Sequence, residues 1–138
     1  MKAIETALSL TQAYKLGIER FEKMLGNEFA KAVEIMNNSS THIIVCGMGK
    51  SGLVGRKISS TLASTGTPSI FLHPAEAIHG DLGKVQKKSV VLLISYSGET
   101  GEIIALIPAL KRLDVNIIAL TGVKNSTLAN ISDIVLDT

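Results

Sequence analysis

Two hexapeptides rich in glycine and hydroxyls stand out in this chain of 138 residues. The first, Gly47-Met48-Gly49-Lys50-Ser51-Gly52, follows a β-rich run and precedes a helix-length segment, so it meets the G-x-G-x-x-G pattern in its proper setting. Glycines there let backbone amides approach a phosphate, and the start of the helix attracts its charge. A dinucleotide fold also needs an acid at the end of the second strand to hold a ribose, but Phe71, Leu72 and His73 stand there. A Walker A loop needs glycine at position 44, which is Ile44. Both nucleotide readings are weakened. The second hexapeptide, Ser95-Tyr96-Ser97-Gly98-Glu99-Thr100, puts three hydroxyls and a glycine at a strand-to-helix junction where free amides point outward. By composition it is a phosphate cradle. The competing reading is helix capping by Ser97 or Thr100, but one hydroxyl is enough for a cap.

Charged groups flank both loops. Lys50 is a compact cation on a flexible stem, suited to neutralising a phosphate or a developing enediolate. A lysine is electrostatically disfavoured at a helix start, so its position favours a site role over plain solvation. Glu102 falls in the first turn of the next helix, a place that suits a dipole partner and a catalytic carboxylate alike. His73, Glu76, His79 and Asp81 lie within nine residues and offer donors for a metal, although their spacing fits no zinc motif. Ordinary loop histidines are the alternative. Cys46, the only cysteine, ends a β-rich run and reads as a buried residue rather than a nucleophile.

The elements that must carry these loops can be read from periodicity. From Ala3 to Asn38 apolar residues recur near helical spacing, predicting two helices broken near Gly26 and Asn27. Beyond the turn-forming cluster at residues 37–41 come five short apolar runs: His42 to Cys46, Ser69 to Leu72, Val90 to Ile94, Asn116 to Leu120, and Ile134 to Leu136. Continuous rather than alternating runs predict strands buried on both faces. Helix-length segments separate them at Ser51 to Ser64, Ala75 to Gly80, Thr100 to Leu113 and Ser126 to Ile131. The β-α alternation predicts an α/β fold, a three-layer α-β-α sandwich with a mainly parallel five-stranded sheet. In such a sheet ligands bind beyond the carboxyl ends of the strands, at the loops starting at Gly47, His73, Ser95 and Thr121.

Composition narrows the class of partner. The chain is 46% apolar with a net charge of +2, which predicts one globular domain without a field for gathering nucleic acid. Residues 41–88 nevertheless hold six basic against two acidic residues, a surplus that suits a small anion. No apolar run approaches the roughly 20 residues needed to span a bilayer. A single cysteine and the lack of a leader pattern predict a cytoplasmic protein.

The motifs taken together resemble a known family. Gly47 to Gly55 (GMGKSGLVG), Thr61 to Pro68 (TLASTGTP), His73 to Gly83 (HPAEAIHGDLG), Ser95 to Thr100 (SYSGET) and Ser126 to Ala129 (STLA) resemble the sugar isomerase (SIS) domain of bacterial arabinose-5-phosphate isomerases. The resemblance runs from about Thr41 to Asp137, after N-terminal helices in residues 1–40 that are expected to pack on the domain and to serve oligomerisation. It implies a flavodoxin-like SIS fold and interconversion of D-ribulose 5-phosphate and D-arabinose 5-phosphate for synthesis of the lipopolysaccharide or capsule sugar Kdo.

Carried over motif by motif, the resemblance makes Lys50 and Glu102 the catalytic positions. It gives the phosphate to Ser51, Ser95, Ser97 and Thr100, with Gly49 and Gly98 in the same loops, and substrate contacts to Gly66, Thr67, His73 and His79. His73 also matches a position where inhibitory zinc can bind, and no cofactor is implied for the reaction. A homotetramer with sites between subunits is implied as well. Family members carry a K-E-A-C-P segment with another catalytic glutamate, an S-H-P-G-G histidine and CBS domains, none of them among these 138 residues. The expectation is therefore an incomplete lobe. Two other readings stay open: a sugar-phosphate-binding SIS module without turnover, and an isomerase of another phosphosugar.

Overall fold

The computed structural model describes residues 2–138. Strands β1 (Ile43–Gly47), β2 (Ser69–Leu72), β3 (Val90–Ile94), β4 (Asn116–Thr121) and β5 (Ile134–Asp137) form one all-parallel sheet in the order β2-β1-β3-β4-β5. Helices α1 (Lys2–Met24) and α2 (Asn27–Asn37) precede it. The crossovers carry α3 (Gly49–Ser64), α4 (Pro74–Ile78), α5 (Gly101–Arg112) and α6 (Thr127–Ile131). Parallel neighbours require such crossovers because a tight turn cannot reverse the chain twice.

Pleating sends alternate strand residues into two cores. Ile44 and Cys46 of β1, Val91 and Leu93 of β3, and Ile117 and Ala119 of β4 pack with Ala77 of α4 and Ile103, Leu106 and Leu110 of α5. Their neighbours Ile43, Val45, Val90, Leu92 and Ile118 meet Ala32 of α2 and Ile58 and Leu62 of α3 on the other face. This two-sided burial is why the runs are continuous. Each fully buried Ile or Leu contributes about 1.5–3 kcal/mol, so the central strands hold the sandwich together. The edge strands β2 and β5 are only partly buried.

The N-terminal helices do not pack as one unit. Ala32 of α2, flanked by Ile35 and Met36, is buried against the sheet, whereas α1 buries none of its residues. Its apolar side chains Ile4, Leu8, Ile18 and Phe21 are all exposed. The periodicity that predicted α1 is thus an apolar face that stays exposed among the described residues, with only its last turn, at Phe21 and Met24, facing β4 and β5 across a groove. A 3-10 turn at Asp81–Lys84 is the element that periodicity missed, because a single turn is too short to show a period. Among the described residues, no helix is long and apolar enough to cross a membrane.

Candidate phosphate site at the strand switch point

The strand order fixes which loops meet. From β1 the chain crosses to β2 on one side and from β3 to β4 on the other, so the β1/β3 pair is the point where the winding reverses. Gly47, the last residue of β1, is in register with Ile94, the last of β3. The loops after them leave the same sheet edge side by side, one into α3 and one into α5, on opposite faces.

In the first loop, backbone packs on backbone. A Cβ at Gly52 would stand 2.7 Å from the Gly47 carbonyl oxygen, and one at Gly47 would stand 2.9 Å from that of Ser51. The glycines therefore bring the first turn of α3 down onto the end of β1. Gly49 has φ +54 with open space around it. Met48, at the cap position of α3, is extended and makes no side-chain cap, which leaves the first-turn amides to the solvent side. Lys50 is exposed there and Ser51 half-buried. Further along α3, Gly55 packs on Phe71, over whose ring the Arg56 guanidinium sits at 4.4 Å.

The second loop is tied internally. Ser95 is buried; its hydroxyl lies 2.8 Å from that of Thr100 and accepts the Gly98 amide at 3.1 Å. The Ser97 hydroxyl accepts the Glu99 amide at 3.2 Å. Thr100 stands at the cap position of α5 but makes no cap bond, so the hydroxyls shape the loop rather than close the helix. The first turns of both α3 and α5 are left without side-chain caps at one edge, and such uncapped amides are the groups that hold an anion. Glu102 lies half-buried in the first turn of α5.

The loop is also tied to its neighbour. Tyr96 O accepts the Gly122 amide at 3.0 Å and the Thr121 hydroxyl at 3.1 Å. Gly98 O accepts the Leu128 amide at 3.1 Å, and the Glu99 carboxylate accepts that of Thr127 at 2.6 Å. That last bond holds the Glu99 carboxyl below its ordinary range. Gly98 has φ +65, and a Cβ there would run into the Ser126 side chain. The segment after β4 is among the loops predicted to face a ligand, but the sequence assigns its residues no contact. The available signal was Thr121 and Gly122 at a strand's carboxyl end.

The remaining candidates divide. Leu72 is in register with Cys46, so His73 emerges beside Gly47 at the same edge; its Nδ1 is buried and unpartnered. His79 is exposed at the far end of α4. Asp81 pairs with Lys84, and among the described residues no three His, Cys, Asp or Glu side chains gather for a metal. His73 offers one imidazole nitrogen, and no complete donor set for zinc surrounds it within one chain. Gly66 and Thr67 precede β2 and so lie at the opposite edge, a strand of four residues, or roughly 13 Å, away from the loops. Cys46 is fully buried, and burial pushes its thiol up to about 12. An apolar groove of about 580 Å³, lined by Phe21, Leu25, Phe29, Leu120 and Leu136, contains no residue of either loop.

The SIS domain profile matches residues 35–138. The arabinose 5-phosphate isomerase KdsD of Pseudomonas aeruginosa is 51% identical over 113 residues, covering 82% of this chain and 35% of that protein. The arabinose 5-phosphate isomerase KpsF of Escherichia coli is 51% identical over 121 residues, 87% of this chain and 37% of that one. The chain thus spans little more than a third of these curated relatives. Among solved structures, that of the E. coli CFT073 protein c3406 in complex with arabinose 5-phosphate is similar with a TM-score of 0.81 and 38% identity, over 95% of this chain and 72% of that one.

Proposed function

The chain belongs to the SIS domain family, and from that premise we propose that its paired loops hold the phosphate of D-arabinose 5-phosphate and D-ribulose 5-phosphate for their interconversion. The observation that carries this reading is the meeting of two loops at the β1/β3 switch point, each opening a helix without a side-chain cap. The names of the relatives and the arabinose 5-phosphate bound in the solved structure of c3406 support the choice of sugar.

In this reading the amides of Gly49 to Ser51, Ser97 and Thr100, with the Ser51 and Ser97 hydroxyls, anchor the phosphate. Ser95 shapes the loop from behind. Aldose-ketose isomerisation then moves one proton between neighbouring carbons. A carboxylate takes the proton from C2 of the aldose while the C1 oxygen gains one, giving an enediol. Loss of the C2 hydroxyl proton and return of a proton to C1 complete the ketose. We assign the carboxylate to Glu102 and stabilisation of the enediolate oxygen to Lys50. His73, beside Gly47, reaches the sugar. Gly66 and Thr67 reach it only from a second copy, and the apolar face of α1 gives such copies a surface to share. The product serves Kdo synthesis.

The test is calorimetry of the 138-residue chain with D-arabinose 5-phosphate, alongside an assay for D-ribulose 5-phosphate. Binding that inorganic phosphate competes away supports the reading. Binding with turnover means that Lys50 and Glu102 suffice, and binding alone limits the chain to anchoring. No binding overturns it.

A further inference from the structure

We propose that Thr121 and Glu99 are positioning residues that fix the outward aim of the Ser97 amide in the Ser95–Thr100 loop, a role that rests on the phosphate-anchoring reading above. In a trans peptide the carbonyl and the following N–H point in opposite directions, and the chain has no cis bonds among the described residues. Tyr96 O is drawn towards β4 by two donors, the Gly122 amide at 3.0 Å and the Thr121 hydroxyl at 3.1 Å. The N–H of Ser97, in the same plane, is thereby turned away from β4, towards the open edge.

Thr121 is buried and has both roles of its hydroxyl in use. It donates to Tyr96 O and accepts the Val123 amide at 3.3 Å. Further along the chain, the first turn of α6 completes the clamp. Its three leading amides are all spent: Thr127 on the Glu99 carboxylate, Leu128 on Gly98 O, and Ala129 on Ser126 Oγ. Unlike α3 and α5, this helix start has nothing left for a ligand. It works as the anvil against which the loop is held, and Gly98 is the contact point.

The experiment compares wild type with Thr121→Val, Thr121→Ser and Glu99→Ala, using D-arabinose 5-phosphate and inorganic phosphate as separate probes in an NMR titration. Because the clamp acts on the phosphate end, Thr121→Val and Glu99→Ala are expected to weaken both probes by the same factor, roughly five- to tenfold each. Thr121→Ser keeps the hydroxyl and restores affinity. Exchange of the Ser97 amide in the bound state speeds up in the weakened variants, while Glu99→Ala stays folded and its melting temperature falls only by what the lost bond to the Thr127 amide supplies. Wild-type affinity in both weakened variants overturns the inference and leaves the anchoring reading standing. So does a loss confined to the sugar phosphate. A wild type that binds neither probe overturns both. Should Thr121→Val fail to fold, Glu99→Ala decides.

Discussion

Gly47 and Gly52 touch backbone to backbone: a Cβ on Gly52 would stand 2.7 Å from the Gly47 carbonyl oxygen, and one on Gly47 would meet the Ser51 carbonyl at 2.9 Å. This mutual contact ties the end of β1 to the first turn of α3 and fixes where the amides of the first loop stand.

Gly52→Ala should therefore act as an overpacked core substitution although it adds one methyl. The neighbours are backbone and cannot rotate aside, so a loss of about 1–3 kcal/mol is expected in urea unfolding. Gly17→Ala is the control: nothing lies within 4 Å of it, and alanine in an exposed helix interior is favourable by up to about 1 kcal/mol.

Gly98 and Gly49 share positive φ, +65 and +54, but not surroundings. At Gly98 a Cβ runs into the Ser126 side chain, whereas at Gly49 nothing lies within 4 Å. Gly49→Ala should cost only the backbone preference, about 1–2 kcal/mol. Gly98→Ala should push the second loop off α6 and abolish binding of inorganic phosphate in an NMR titration, even where circular dichroism shows the fold retained.

Lys50 is exposed and makes no ion pair among the described residues. Lys50→Ala is expected to leave thermal stability within about 0.5 kcal/mol, the usual range for surface changes. In a chain with measurable isomerase activity it should lower turnover far more. Equal losses in turnover and stability would remove Lys50 from the site.

Cys46 couples stability to alkaline pH. Its thiol is pushed up to about 12 by burial, from an ordinary value of 9.0. Between those values the unfolded thiol has lost its proton and the folded one keeps it, so the folded state binds more protons and stability falls as pH rises. The slope approaches about 1.4 kcal/mol per pH unit. Denaturant titrations from about pH 9 upward should show it, and Cys46→Ala should flatten it. At about pH 8 the native thiol should resist a disulfide reagent that labels the unfolded chain.

Much of this was legible in the residues. The apolar runs placed all five strands, the break near Gly26 separated α1 from α2, and the glycine spacing marked Gly47 to Gly52 as the passage from strand to helix, although α3 begins at Gly49 rather than at the predicted Ser51 and leaves only Met48 between the two elements. These are local matters: strand burial, helical period and turn chemistry are written within a dozen residues of each other. The family resemblance rested on the same short motifs, and the profile match to residues 35–138 bears it out.

Tertiary structure alone decided the rest. Strand order is set by which non-local edges pair, and only that order puts Gly47 beside Ile94 and His73 beside Gly47. The parallel sense of β1 and β2 sends Gly66 and Thr67, which precede β2, to the far edge, although they lie nearer to Lys50 in sequence than Glu102 does. Periodicity foretold an apolar face on α1 but not its cover, because a helix's period says which side is greasy and nothing about what meets it. The ties of Tyr96 to Thr121 and of Glu99 to Thr127 span 25 and 28 residues. Hydrogen bonds of that reach leave no pattern in sequence, since any hydroxyl or carboxylate brought to the right point would make them.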